Sequence, residues 1–513
     1  MSRVSNSVKN AKIGLIFYAI TIFVAFYSRK IFLDFLGADF VGLTSVLQNI
    51  LGFLNLAELG VSTAIGYALY KPIFNEDNNE INRLVQYFGF IYRKIGLFIL
   101  SLSILVSLFF PFFFGKIPFS LALVYYAFFT FVLSSLIGYF FNYHQTLFVA
   151  DQKEYIIKQY LQSVGIIKSL LQIVLIYFYT NYYLWISIEL LYAITIALVL
   201  RWRVKKTYPW LKVNLLKDYK SNKYPRILKK IKQIFIHKIA FFVLVGTDQI
   251  LIYAFVNLES VAFFSNYQLI FGHIKAFVNS GFNGAQASIG NLIAEDNYEN
   301  TKKVFWEMMS VRHFFAGFLF MSLFFLTGPF IEIWLGNKYV LETGVLILMC
   351  ANIYISQSRA PVDNYLNGFG LFADTWAPIT EAILNLSISI VFGMKYGIFG
   401  IMLGTFISTF LIVTLWKPYY LYSKGFKEPV RKYWIGFTKL FLSFIASFYI
   451  INFIVTNYLN NEITNFLNWG IFVSKLTILI LVVFCSILYF FNIGFRNFSL
   501  RMKKVLINKI LNK

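Results

Sequence analysis

The sequence predicts an all-α integral membrane protein of fourteen transmembrane helices. Three observations carry this reading: the abundance of apolar residues, their gathering into runs of membrane length, and the crowding of positive charge into a few connectors. Of 513 residues, 58% are hydrophobic, 20% aromatic and 13% charged, with 60 Phe and 10 Pro. A soluble chain of this size has no core large enough for so much apolar surface. The runs suit helices, which need about 20 residues to cross hydrocarbon. No alternating pattern of about 10 residues marks barrel strands.

The first span, near 13–36, follows a few basic residues as a secretory signal does. It is long, carries Arg29 and Lys30 and has no small-residue cleavage site, so it reads as a retained helix. The second, 41–69, is apolar except for Thr44, Gln48, Asn55, Glu58 and Ser62. These fall within roughly 40° of one line at about 100° per residue, a stripe that should not face lipid. Spans three to six follow at 84–110, 119–143, 155–179 and 182–202, with Lys168 and Glu189 inside the last two. Span seven, 236–257, holds Asp248 and Gln249. Span eight, 260–292, has a stripe of Gln268, Lys275, Asn279 and Gln286 and an opposite one of His273, Ser280, Ser288 and Asn291; the first is preferred because it holds the charge. The remaining spans lie at 303–331, 341–367, 373–394, 397–416, 433–456 and 467–492. Within them, Arg359 and Asp363 stand at i and i+4 and are expected to pair, while Lys475 is placed to snorkel outward.

The net charge of +23 is unevenly spread. Thirteen Lys and Arg from Arg201 to Lys238 crowd one connector with a single acid, Asp218, and others gather at 417–432 and in the tail. With fourteen spans these clusters share one side, whereas the connectors at 34–40, 180–183, 257–260 and 457–466 hold no Lys or Arg. By the positive-inside rule both termini are cytoplasmic. The clusters read as a topology signal with attraction to anionic membrane lipids, not as a nucleic-acid patch. Ile227, Ile231 and Ile234 recur at helical spacing, which predicts a short surface helix leading into span seven.

Two connectors echo each other. "FNEDNNEINRLVQYF" (74–88) is answered by "IAEDNYENTKKVFWE" (293–307): Glu76-Asp77-Asn78 matches Glu295-Asp296-Asn297, Glu80 matches Glu299, and Arg93 matches Arg312. "LFVADQ" (147–152) and "LFADT" (371–375) repeat the pattern. The expected organisation is a parallel tandem repeat: a six-helix bundle at 1–202, a basic cytoplasmic connector at 203–235, a second six-helix bundle at 236–416, two further helices at 433–492 and a basic tail at 493–513. Repeats of this kind build transporters that rock two halves around a central site.

An ionised side chain near mid-membrane costs at least ~2.5 kcal/mol unless paired or solvated. Arg29, Lys30, Gln48, Asn55, Glu58, Asp248, Gln268, Lys275 and Asn279 are therefore candidates to line a wet cavity. The competing reading pairs Arg29 with Asp34 or a neighbouring helix, and Lys275 with Glu58 or Asp248. His144, His237, His273 and His313 lack metal-site spacing. Cys350 and Cys485 lie in apolar runs and suit neither a disulfide nor a metal. No constellation for covalent chemistry is present, so the expectation is a protein that is not an enzyme and holds no cofactor.

Five stretches resemble a family: "FLGADFVGLTSVLQNILGFLNLAELGVSTAIGYALYKPI" (35–73), "TDQILIYAFVNLESVAFFSNY" (247–267), "ASIGNLIAED" (287–296), "FIEIWLG" (330–336) and "WAPITEAILNLSISIVFGMKYGIFGIMLGTFIS" (376–408). They look like the polysaccharide transporter branch, the Wzx-like O-antigen and capsule flippases, of the multidrug/oligosaccharidyl-lipid/polysaccharide superfamily. The resemblance runs over essentially the whole chain, including Glu381, Asn385, Gly397, Gly400, Gly404 and Thr405; Ala262-Phe263 departs from it where a glycine is expected. It implies two six-helix bundles forming a V around a cavity lined by spans one, two, seven and eight. It also implies movement of undecaprenyl-diphosphate-linked oligosaccharide across the bacterial inner membrane. Arg29, Lys30 and Lys275 suit the diphosphate of such a cargo.

Two other classes remain open. A cation-coupled multidrug exporter of the same superfamily would use Glu58, Asp248 and Glu381 for proton or sodium coupling. A membrane glycosyl transferase or polysaccharide polymerase would need a sizeable outer loop, and every predicted outer connector is short.

Overall fold

A backbone in hydrocarbon has to satisfy its own hydrogen bonds, which apolar runs achieve as helices. The computed structural model describes residues 3–58, 61–212, 246–282, 285–295, 297–371, 373–459 and 463–511, and among them there is no strand. Eight of the described helices are long and apolar enough to cross a membrane. The expected surface helix at 227–234 lies outside the described residues. Contacts divide the chain into two units, Met1–Ala262 and Phe263–Lys513.

The first unit contains α1 (Arg3–Leu36), α2 (Ala38–Leu54), α3 (Val61–Phe74), α4 (Asn78–Ser107), α5 (Leu121–Phe141), α6 (Glu154–Phe178), α7 (Tyr182–Thr207) and α8 (Asp248–Phe255). It packs α1 on α6, α4 on α5, α5 and α6 on α7, and α8 on α2. Span two is not the continuous helix expected from its apolar run. It stops at Leu54, tightens through a 3-10 turn at Asn55–Glu58 and resumes as α3 at Val61. The tightened turn, with its different residue repeat, ends the straight-helix line that placed Ser62 in register with Gln48. Gly42 is required where α2 passes Leu258, since a Cβ there would collide with the Leu258 carbonyl oxygen.

The second unit contains most of α9 (Leu258–Ser280), then α10 (Ala285–Ala294), α11 (Tyr298–Leu335), α12 (Thr343–Ser358), α13 (Ala360–Gly368), α14 (Trp376–Thr409), α15 (Arg431–Tyr458), α16 (Phe466–Phe491) and α17 (Ile493–Leu511). Spans eight and ten are each split into two helices. The split in span ten falls at Arg359, just before Pro361, which bars an unbroken hydrogen-bond ladder. Spans eleven and twelve form a hairpin that reverses at Gly397 (φ 54°, ψ −133°), a conformation open to glycine and strained for other residues. Behind the turn the arms touch through small residues: a Cβ at Gly400 would lie 2.1 Å from the Phe392 carbonyl oxygen, and one at Gly404 2.2 Å from Ser389 Oγ. The unit's core is aromatic, with Phe305, Tyr365, Tyr422, Phe426, Tyr433 and Phe444 buried together. The basic tail is itself helical, and α17 packs on α11.

Each acidic connector ends in a side-chain cap. Asp77 accepts the Glu80 backbone N–H at 3.0 Å to start α4, and Asn297 accepts that of Asn300 at 3.1 Å to start α11. The sequence counterpart of Asn297 is Asn78, so the second cap falls one residue later than the echo implies.

Candidate functional site

Charges inside an apolar span divide into those with a counter-ion and those without. In the first unit, Lys168 on α6 donates to Glu189 on α7 at 2.8 and 3.1 Å, and Gln172 donates to the same carboxylate at 3.1 Å. Lys168 also lies over the Tyr192 ring at 5.2 Å. This is a satisfied pair tying two helices. Arg29 on α1 is half-buried and makes neither a hydrogen bond nor an ion pair with a described residue. Asp34, its expected alternative partner, is exposed and does not pair with it. Lys30 is half-buried and already engaged by its surroundings.

The polar stripe of span two has several destinations. Thr44 is buried, bonded to the Phe40 carbonyl at 2.7 Å and the Tyr182 hydroxyl at 2.9 Å, so it is engaged inside the bundle. Gln48 is exposed. Asn55 accepts from Ser135 at 3.2 Å, and Glu58 accepts from the Tyr92 hydroxyl at 3.1 Å. The side chain of Ser62 lies outside the described residues. Asn49, absent from the sequence-based set, donates to the Gln249 side chain and joins α2 to α8. Beside Gln249, Asp248 is buried in the first turn of α8, and its Oδ1 has no hydrogen-bond partner among the described residues.

In the second unit, Gln268 and Lys275 are half-buried on α9. Lys275 makes no hydrogen bond or ion pair with a described residue. Asn279 accepts from Arg312 at 3.5 Å. The side chain of Gln286 lies outside the described residues. Arg359 pairs with Asp363 at 3.3 Å, as their spacing predicts. Glu381 on α14 is buried without an ion pair among the described residues. One and two turns further on, Asn385 donates to Thr405 at 2.9 Å and Ser389 to the Ile401 carbonyl at 3.0 Å, bonding the hairpin arms to each other.

Sequence reasoning singled out Arg312 only as the echo of Arg93. It is 5% exposed, donates to Gln357 at 2.9 Å, and stacks on Phe282 with its guanidinium carbon 3.6 Å from the ring centroid. Its position inside the apolar span at 303–331 is the signal that could have found it. Among the described residues no cluster of three or more His, Cys, Asp or Glu suits a metal, and Cys350 and Cys485 are free thiols.

The acidic connectors are held differently. The first is fastened by Asn82, which accepts from the Lys212 backbone at 2.7 Å and donates to the Trp210 carbonyl at 3.3 Å. The second is clasped by charge: Lys302 bridges Glu299 at 3.4 Å and Glu428 at 3.1 Å, and Lys432 reaches Glu428 at 3.1 Å. Burial alone would raise the Glu428 pKa, but hydrogen bonds from the two lysines outweigh it and hold the carboxyl below its usual range.

With this geometry in place, comparisons place the fold. The structure is similar to that of the lipid II flippase MurJ in an inward closed conformation, with a TM-score of 0.65 at 18% identity, over 92% of this chain and 98% of the other. It is also similar to a multidrug resistance MATE family transporter of the MOP superfamily in its inward-facing form, with a TM-score of 0.56 at 15% identity over 82% and 99% of the two chains. An outward-facing MATE structure gives 0.53 at 14% identity over 82% and 97%. No protein-family model matches the sequence, and no curated protein matches it. The chain therefore has the fold shared by these transporters.

Proposed function

We propose that the protein is a flippase that moves an undecaprenyl-diphosphate-linked oligosaccharide, a polysaccharide repeat unit, across the bacterial cytoplasmic membrane by alternating access. The observation that carries this reading is the pair of cations Arg29 and Lys275, which sit in apolar spans without a described acidic partner. A lipid-linked sugar has an anionic, polar head that must cross hydrocarbon and a tail that need not leave it. Cations without a counter-ion among the described residues offer that head charge-assisted hydrogen bonds. Arg29 supplies a planar fork for two phosphate oxygens and Lys275 a point charge, with Lys30, already engaged by its surroundings, adding positive charge beside Arg29. Gln48, Asn55, Gln268 and Asn279 offer donors and acceptors to sugar hydroxyls. The likeness to the lipid II flippase supports a lipid-linked cargo. In this reading fourteen spans place both termini and the 203–235 connector in the cytoplasm.

One observation favours a second reading, a cation-coupled multidrug exporter: the buried carboxylate of Asp248, whose Oδ1 has no partner among the described residues and which with Glu58 and Glu381 can carry a proton or sodium ion. Proteoliposomes decide between the two. Flipping of a defined lipid-linked oligosaccharide, measured with and without proton and sodium gradients, is expected of the flippase. Gradient-driven export of organic cations without lipid flipping supports the exporter.

A further inference from the structure

Beside α17, the second unit holds a cavity of about 360 Å³, to whose wall the far end of span eight contributes Phe282 and Ile289. Phe282, Ile289, Met308 and Phe498 are among its apolar walls, and its polar groups come from two arginines, Arg312 and Arg501. The arginines differ. Arg501 is half-exposed on α17 and pairs at 2.7 Å with Glu307, whose side chain is 3% exposed. Arg312 is 5% exposed, its hydrogen-bond acceptors are the neutral amides of Gln357 and Asn279, and its Nε has no partner among the described residues. Glu307 and Arg312 are five residues apart on α11, so they are separated by about 7.5 Å along the helix at 1.5 Å per residue.

A buried guanidinium with only neutral acceptors is left uncompensated, and burying a charge without its opposite is expensive. The three charged groups here, Arg312, Arg501 and Glu307, sum to +1. Their surroundings are hydrocarbon. The complement to such a site is a single negative charge attached to an apolar chain.

We propose that this cavity binds one anionic phospholipid of the adjoining leaflet, with its phosphodiester between Arg312 and Arg501 and an acyl chain against Phe282, Met308 and Phe498. Three features favour a membrane phospholipid over the diphosphate cargo. The net charge of +1 balances a monoanionic phosphodiester and leaves a diphosphate overcompensated. Phe498 and the half-exposed Arg501 put α17 on one wall, and this helix also bears Arg496, Lys503 and Lys504, a basic helix of the kind that lies at a membrane surface beside lipid headgroups. The apolar walls take a chain and offer no groups to sugar hydroxyls. The site does not rest on the identity of the cargo, although Arg312 also donates to Asn279 at 3.5 Å. An occupant would brace α10, α11 and α17 against one another, so the lipid acts as a structural ligand of the second unit.

Native mass spectrometry of the full-length protein in detergent tests this. The probes are phosphatidylglycerol, phosphatidylcholine of the same chains, and a polyprenyl diphosphate. Wild type is expected to retain one phosphatidylglycerol at least tenfold more tightly than phosphatidylcholine. Arg312→Gln, which keeps a donor to Gln357, is expected to lose that preference. Met308→Trp, which fills the cavity and leaves both arginines, is expected to lose the lipid altogether; it decides the matter if Arg312→Gln does not fold. Equal retention of the two phospholipids by wild type, unaltered preference in Arg312→Gln, or unaltered retention in Met308→Trp overturns the proposal. Displacement of phosphatidylglycerol by equimolar polyprenyl diphosphate also overturns it, by assigning the cavity to the cargo.

Discussion

Lys168 and Arg29 are both half-buried cations in apolar helices of the same unit, and their surroundings are opposite. Lys168 has a carboxylate at 2.8 Å, an amide beside that carboxylate and an aromatic ring; Arg29 has no described partner. A cation closed off by its own counter-ion joins helices and is unavailable to a ligand. A cation kept without one has its hydrogen-bonding capacity unspent, which is the condition for binding an anion that comes and goes. Lys275 in the second unit belongs with Arg29, and Arg359, paired to Asp363, belongs with Lys168.

The largest effect is expected from reversing a free cation. Arg29→Glu places repulsion where the cargo is most negative and should abolish flipping at normal membrane abundance, whereas Arg29→Lys should retain part of it because charge survives without the fork. Flipping by Arg29→Glu at the wild-type rate breaks the distinction between the two classes.

Next in size is Lys275→Ala. Loss of one charge-assisted hydrogen bond is worth on the order of 1–3 kcal/mol, so flipping at limiting cargo should fall about tenfold or more with abundance unchanged. A fall in flipping that tracks a fall in abundance moves Lys275 into the structural class.

The paired class should behave inversely. Lys168→Ala leaves Glu189 with Gln172 as its hydrogen-bond partner among the described residues and is expected to destabilise the first unit by about 1–3 kcal/mol, lowering abundance while the rate per molecule holds. Adding Glu189→Ala should restore part of the abundance, as read by quantitative blotting alongside the flipping assay.

The smallest effect concerns the connectors. Because its lysine partners hold the Glu428 carboxyl below its usual range, the clasp contributes stability above the unfolded carboxylate pKa of about 4.3. That contribution fades as pH falls through the lower, folded value. The acid side of a thermal-stability profile should therefore be flatter in Glu428→Gln than in wild type. Alanine at Glu299 should alter amount or rate and leave sugar preference unchanged.

How much of this was legible in the sequence follows from the range of the interactions. Hydrophobic runs report helices because the bilayer imposes one solution on the backbone, and the Gly397 reversal and the Arg359–Asp363 pair are local enough to read from spacing. The break after Leu54 was hidden because the polar groups that hold it, Ser135 and Tyr92, are distant in sequence. For the same reason spacing alone puts Thr44 on the polar stripe, whereas Tyr182 engages it inside the bundle. Whether a charge has a counter-ion is also a long-range property: Glu189 and Lys168 could be seen separately, but not their contact. Arg312 was visible as a charge inside a span, and its cavity was not, because the walls come from three separate helices.

Equilibrium binding tests the central claim, that free cations hold an anionic head, most directly. Purified wild type and Arg29→Ala are each titrated with a polyprenyl-diphosphate oligosaccharide and with the same polyprenyl glycan joined through an uncharged linker. The account predicts that wild type prefers the diphosphate about tenfold or more and that Arg29→Ala loses most of that preference while remaining folded. Equal affinity of wild type for both ligands, or an undiminished diphosphate preference in Arg29→Ala, would contradict it.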